Sequence, residues 1–264
     1  MYFAKSDWKR IRGAAAADGV ALIPMGSLEA HGPHLPCGTD TCQVNEIVRR
    51  AVARTSDPER IVVFPTVEYA IVEWASGFVS AGVSIKTLMN TLIDVCRAAV
   101  DIGFRKIVFC QGHAGLSLPQ VVAWQLRQER CYALYVDTTP YLMAAEEAAK
   151  LTGETIAHAG VTETSMMLAL APELVDMGKA VDGPTDLWGE DFPFQTLRGK
   201  PGVSAIPVVE SLPDAVEGLA TRATAQIGEK LFELYGSALA EVLEDLLSHP
   251  VPEKYLRPFT KPLE

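Results

Sequence analysis

Glu29, His31, His34 and Asp40 fall within one short stretch, IPMGSLEAHGPHLPCGTDT (residues 23–41), between an apolar run and a loop rich in Gly and Pro. A chain with only five histidines places two of them here, beside two carboxylates. The same residue types recur in CQGHAG, centred on His113, and in HAGVTETS, which carries His158 and Glu163. Imidazole and carboxylate without thiolate suit Zn²⁺, Mn²⁺ or a related divalent ion. The set Glu29, His31, Asp40, His113 and Glu163 exceeds what one catalytic zinc needs, which is three protein ligands and an open position. Two ions sharing one carboxylate is the economical arrangement. Such a pair, about 3.5–4 Å apart, holds a bridging water of lowered pKa and polarises a carbonyl in front of it.

Plainer roles stand beside this one. A histidine at a strand end is commonly a hydrogen-bonded structural residue. Glu163, followed by Thr164 and Ser165, also suits the first turn of a helix, where the dipole favours an acid. His34, held between prolines in GPHLP, either orders the loop or backs a ligand from behind. His249, before Pro250, reads as an exposed residue near the C-terminus. What favours the metal reading is that the other four histidines coincide with Gly-bounded element ends and nearby carboxylates.

These motifs must be positioned by something regular. The runs GVALIPMG (19–26), RIVVFPTV (60–67), KIVFCQGH (106–113) and CYALYVDTT (131–139) are short, β-branched and nearly continuous, as strands buried on both faces of a parallel sheet are. Between them lie helical patterns. SIKTLMNTLIDVCRAAVDIG (84–103) has Ser84 as an N-cap and stops at Gly103, and LPQVVAWQLRQER (118–130) has Pro119 near its first turn. TETSMMLALAPELV (162–175) is amphipathic, and residues 218–248 form one long helix or two broken near Gly236. Strand, helix, strand in that order implies right-handed crossovers and a sheet covered on both sides. Ligands of such a sheet gather at the carboxyl ends of its strands, which places His113 beside Glu29, His31 and Asp40. In an extended chain Glu29 and His31, two apart, point to the same side. The stretch 181–205, rich in Gly, Pro and aromatics, reads as a long loop that serves as a lid or subunit contact.

The whole chain bounds the partners. Its 264 residues are 48% hydrophobic, enough for a substantial core, and its formal charge of −10 argues against nucleic acid or anionic lipid. The N-terminus shows no signal-peptide pattern and no run is long enough to span a membrane, so a soluble, cytoplasmic protein is expected. Five cysteines without CxxC spacing fit a reduced compartment, with Cys37 and Cys42 as small packing residues.

PMGSLEAHGPHLPCGTD is similar to the signature of the creatininase (creatinine amidohydrolase) family, in which a Glu-x-His pair and an Asp nine residues later bind a dinuclear metal centre. His31 and Asp40 keep that spacing. CQGHAGLS resembles the family's NGHGGN motif, HAGVTETSMMLAL its HAGxxETS motif, and Val216–Leu231 its C-terminal helix region; the likeness runs over roughly residues 15–235. It implies a three-layer α/β/α sandwich with a mostly parallel central sheet, one creatininase-like hydrolase domain over 1–264, two divalent ions (Zn and/or Mn) per chain, and homo-oligomeric assembly, often as a hexamer. It further implies that Glu29 and His113 bind one metal, His31 and Glu163 the other, and that Asp40 bridges them. In creatininase itself the last carboxylate lies two residues after the second-motif His, where this chain has Gly115, so Glu163 must supply it. His158 falls where the family has a histidine that acts on substrate and shuttles a proton, which makes it, with Glu163, a catalytic candidate. Gln111 and Leu116 replace the asparagines of NGHGGN, and AIVEWASGFVSAGVS keeps Glu73 but has Trp74 where His is common. The pocket wall is therefore changed, with Glu73, Trp74 and Trp188, together with Phe192, as substrate contacts. The expected activity is hydrolysis of a C–N bond in a small amide, cyclic amide or formamide. A cyclic ketone, a modified peptide, or metabolite binding without catalysis are the alternatives.

Overall fold

The computed structural model describes residues 1–72, 77–113, 118–154, 157–185 and 212–258. In chain order its helices and strands are α1 (Trp8–Ala16), β1 (Val20–Met25), α2 (Thr39–Arg54), β2 (Ile61–Val63), α3 (Ile85–Ile102), β3 (Lys106–Gln111), α4 (Leu118–Gln128), β4 (Leu134–Thr138), α5 (Pro140–Met143), α6 (Ala145–Thr152), α7 (Val161–Leu170) and α8 (Ala225–Ser248), with short 3₁₀ turns between some of them. Among the described residues four strands form one sheet in the order β2-β1-β3-β4, every pair parallel.

Alternation along β1 explains the layers. Val20 and Leu22 enter one core with Val44, Ile47 and Val48 of α2 and with Leu231, Phe232 and Leu239 of α8. Ala21, Ile23 and Met25 enter a second core with Ile11 of α1, Leu88 and Leu92 of α3, and Val122 of α4. Successive side chains of a strand point to opposite faces, so a continuous apolar strand requires helices on both. The result is the α/β/α sandwich expected from the sequence.

Strand order also fixes where a ligand can sit. From β1 the chain moves through α2 to β2 on one side, then returns through α3 to β3 on the other. The crevice at the carboxyl ends of β1 and β3 is therefore a topological switch point, where the loops part and leave room. The first motif follows β1 and the second follows β3.

Several boundaries differ from those expected. The strand expected over 60–67 is three residues long; Pro65 offers no N–H, and Val67 returns only as an isolated bridge to Met25. Helix α7 stops at Leu170 because Pro172 disfavours helical geometry in the residue before it, Ala171, which adopts φ −149°. The long C-terminal helix begins at Ala225 under a Thr224 cap rather than at 218, and it runs through Gly236 unbroken. There a Cβ would lie 3.1 Å from Arg50 Cβ, so the glycine serves the close approach of α2 rather than a kink. Ser84 and Gly103 cap α3 as anticipated, Gly103 at φ 125°. All five cysteines are free; Cys42 is half-buried against the cluster that contains Leu35 and Met167, whereas Cys37 is exposed, contrary to its expected packing role. Residues 181–185 carry no helix or strand, and the rest of the loop expected over 181–205 lies outside the described residues.

Candidate metal centre

The loop after β1 is held tightly. Gly26 passes so close to the start of α2 that a Cβ would fall 2.7 Å from Thr41 Cα. Glu29 N–H donates to Cys37 O at 2.9 Å, closing the loop, and Gly32 turns the chain at φ 66°, where glycine alone is unstrained. Asp40 then sits in the first turn of α2, and Glu163 in the first turn of α7, each at a positive helix end that favours a carboxylate. Glu163 is thus a first-turn acid, as its plainer reading had it, and is also brought to the centre.

Glu29, His31 and Asp40 are at most 2% exposed. His31 Nε2 lies 3.1 Å from Asp40 Oδ1 and 3.6 Å from Glu163 Oε2. His113 Nδ1 lies 2.9 Å from Glu29 Oε1 and 3.1 Å from Asp40 Oδ2. Donor atoms of Glu29, Asp40 and His113 all fall within 4.8 Å of one another, as do those of His31, Asp40 and Glu163. The two triads overlap in Asp40. A third grouping, Glu29, His31 and His158, meets the same limit.

The far nitrogen of each ring decides what the near one presents. His31 Nδ1 is 3.0 Å from the Glu29 carbonyl and His113 Nε2 is 3.2 Å from the Ile71 carbonyl. A carbonyl only accepts, so both nitrogens carry hydrogen and the neutral rings turn lone pairs toward two carboxylates each. Lone pair facing lone pair is repulsive unless a cation stands between. Both Glu29 carboxylate oxygens are buried and make no hydrogen bond. In tetrahedral coordination at about 2.1 Å, donors stand about 3.4 Å apart, which the observed 2.9–3.6 Å separations match. The residues present therefore fit a pair of divalent ions.

The same electrostatics appears in proton affinities. Burial alone would lower the His31 pKa, but the charges of Asp40 and Glu163 outweigh it and lift it to about 10. His113 is likewise raised against burial by Asp40 and Glu29. Burial would raise Asp40, yet His31 and His113 hold it well below the usual carboxylate range. Glu163 is raised by burial with Asp40 adding to it, while His31 opposes. Without metal, protons take the place of cations.

His158 differs. Its ring lies 4.2 Å from that of His31, and its Nε2–H donates to Ala30 O at 2.8 Å. Burial, with the neighbouring His31 charge, lowers its pKa to about 3, so it is a neutral imidazole with Nδ1 as acceptor. His34 is in neither triad; it is buried and donates to Thr164 Oγ1 at 2.9 Å. His249 is exposed beside Asp245, as expected. Glu73, Trp74, Gly115, Leu116, Trp188 and Phe192 lie outside the described residues. Gln111 is described, and donates to Asp137 Oδ1 at 2.7 Å.

Sequence reasoning passed over the supports. Ser27 Oγ donates to Asp40 Oδ2 at 2.7 Å, and Gln43 Nε2 donates to Glu163 O at 2.9 Å while accepting from Tyr141 OH. Ser27 lies inside the first motif and Gln43 one turn beyond Asp40. Their place beside the acids was the available signal.

The sequence profile of the creatininase family, described as creatinine amidohydrolase, matches residues 4–243. The chain is 33% identical over 220 residues to a mycofactocin precursor peptide peptidase of Mycolicibacterium smegmatis, covering 81% of this chain and 79% of that protein. It is 26% identical over 269 residues to the creatinine amidohydrolase of Pseudomonas putida, covering 93% and 96%. A solved structure of a creatininase with Mn shares the fold, with TM-score 0.76 over 94% of this chain and 99% of that one at 23% identity. With agreement in sequence and fold along nearly its full length, the chain belongs to the creatininase family of metal-dependent amidohydrolases.

Proposed function

We propose that residues 1–264 form a single dinuclear hydrolase domain that cleaves a C–N bond in a small amide, with cyclic amides and formamides as its substrate class. The observation that carries this is the pair of buried donor triads meeting at Asp40, each with an imidazole lone pair turned toward carboxylates. In this reading Glu29 and His113 hold one ion, His31 and Glu163 the other, and Asp40 spans both. Nitrogen and oxygen donors without sulfur suit zinc or manganese. When bound, the ions supply a water of lowered pKa and polarise the substrate carbonyl.

The chain's own residues do the rest. His158, oriented by its Nε2–H bond to Ala30 O, carries the proton released by the attacking water to the leaving nitrogen. Glu163 acts both as ligand and in the reaction. Glu73, Trp74 and Trp188 contact the substrate in this reading. Homo-oligomeric assembly in the cytoplasm belongs to the same proposal.

A second reading has its own support: the identity of 33% to a peptide-cleaving relative favours the amide bond of a modified peptide. One experiment addresses both. Purified protein is assayed for bound metal, then tested with Mn²⁺ or Zn²⁺ on cyclic amides, formamides, cyclic diketones and short peptides. Two ions per chain and turnover of a cyclic amide or formamide are expected, with turnover abolished in His31→Ala. Turnover of peptides alone selects the second reading. Undiminished activity in His31→Ala overturns the metal mechanism.

A further inference from the structure

His34 is 2% exposed and belongs to no candidate metal grouping among the described residues, yet it is tied to the third motif across 130 positions of sequence. Its Nδ1 is buried without a hydrogen-bond partner, so the ring's hydrogen belongs on Nε2, which donates to Thr164 Oγ1 at 2.9 Å. The fully buried Thr164 hydroxyl donates in turn to Ala159 O at 3.1 Å, a direction fixed because the carbonyl only accepts. Ala159 N–H donates to Glu163 Oε2 at 2.6 Å. Ala159 itself stands at φ 52°, in the left-handed region that a residue with a Cβ occupies only when its surroundings hold it there. Its carbonyl is therefore taken by the His34–Thr164 pair, and its N–H is spent on the carboxylate facing His31.

We infer that His34 and Thr164 are positioning residues: by locking the left-handed turn at Ala159 they aim the Glu163 carboxylate toward His31 and Asp40, and so set the affinity of that metal position while leaving the Glu29–His113 position alone. This rests on the reading of Glu163 as a ligand in a two-ion centre. The chain of hydrogen bonds touches neither Glu29 nor His113, so its loss is felt on one side of Asp40.

The test is calorimetric titration of chelated protein with Mn²⁺, comparing wild type with Thr164→Val, which keeps the shape but removes both donor and acceptor. The expected result is that one of two dissociation constants rises about 10–100-fold, the other holds, and Thr164→Ser returns both toward wild type. Unchanged constants, or two that move equally, overturn the inference. A wild-type protein that takes up fewer than two ions sinks the two-ion reading and the inference with it, an outcome distinct from a two-ion wild type matched by Thr164→Val. If Thr164→Val fails to fold, Thr164→Ala replaces it: it removes the same hydroxyl, and the same constant is expected to rise while the other holds. Wild-type binding of both ions in Thr164→Ala then overturns the inference.

Discussion

Ser27 is fully buried, and its hydroxyl donates to the carboxylate oxygen of Asp40 that faces His113. A hydrogen bond to a charged acceptor is worth about 1.5–3 kcal/mol, and Ser27→Ala leaves no donor in its place. The expected outcome is a loss of that size in urea unfolding of the chelated protein, together with weaker metal uptake; an unchanged urea midpoint would count against it. Glu217 offers a pH test. Burial raises its pKa to about 7, with the charge of Glu154 adding to the effect. The folded state thus keeps a proton that the unfolded chain releases near the ordinary carboxylate value. Stability falls as pH rises from about 4.5 to 7 and stays lower above. Glu217→Gln removes that dependence. Because the side chain is partly exposed, screening trims the gain to on the order of 1 kcal/mol above pH 7, with none below pH 4.5. Unfolding curves at pH 4 and pH 8 show whether the gap opens only at the higher value.

At the scale of elements, the centre depends on how α7 packs on α8. A Cβ at Gly228 of α8 would lie 1.9 Å from the Ser165 carbonyl of α7, two residues past Glu163. No rotamer relieves a clash with backbone, so the helices must separate. Gly228→Ala is expected to cost about 3 kcal/mol and to displace Glu163, lowering metal affinity as well. Gly13 in α1 has nothing within 4 Å of a built Cβ, and Gly13→Ala is expected to gain up to about 1 kcal/mol from helix propensity alone. Denaturant midpoints for the two variants should move in opposite directions. If they move together, propensity rather than helix contact governs both sites.

For the molecule as a whole, metal removal should register as lost stability. The centre gathers Glu29, Asp40 and Glu163 with two imidazoles raised in pKa by them, and both Glu29 oxygens lack hydrogen bonds. Each site filled at 100 times its dissociation constant adds about 2.7 kcal/mol, so chelation should lower Tm by several degrees and added Mn²⁺ or Zn²⁺ should restore it. A Tm indifferent to chelator would contradict the centre. The sequence by itself determined the layered α/β class, since continuous β-branched runs read as doubly covered strands, and His and carboxylate residues in three motifs put forward Glu29, His31, Asp40, His113 and Glu163, which the fold brings together. Both signals are local in the chain. Helix α2, which carries Asp40, was not read as a helix, because its polar and charged residues TDTCQVNEIVRRAVAR show little apolar run until Val44 and Ile47 are seen against β1 and α8. Only the tertiary structure decided the reversal of strand order that brings β1 and β3 side by side, the carbonyls of Glu29 and Ile71 that turn each imidazole, and the reach of His34 to Thr164. Strand order and the reach of His34 across 130 positions are set between residues distant in sequence, and the partners that turn the two imidazoles are backbone carbonyls that every residue possesses, so no residue type could have announced them.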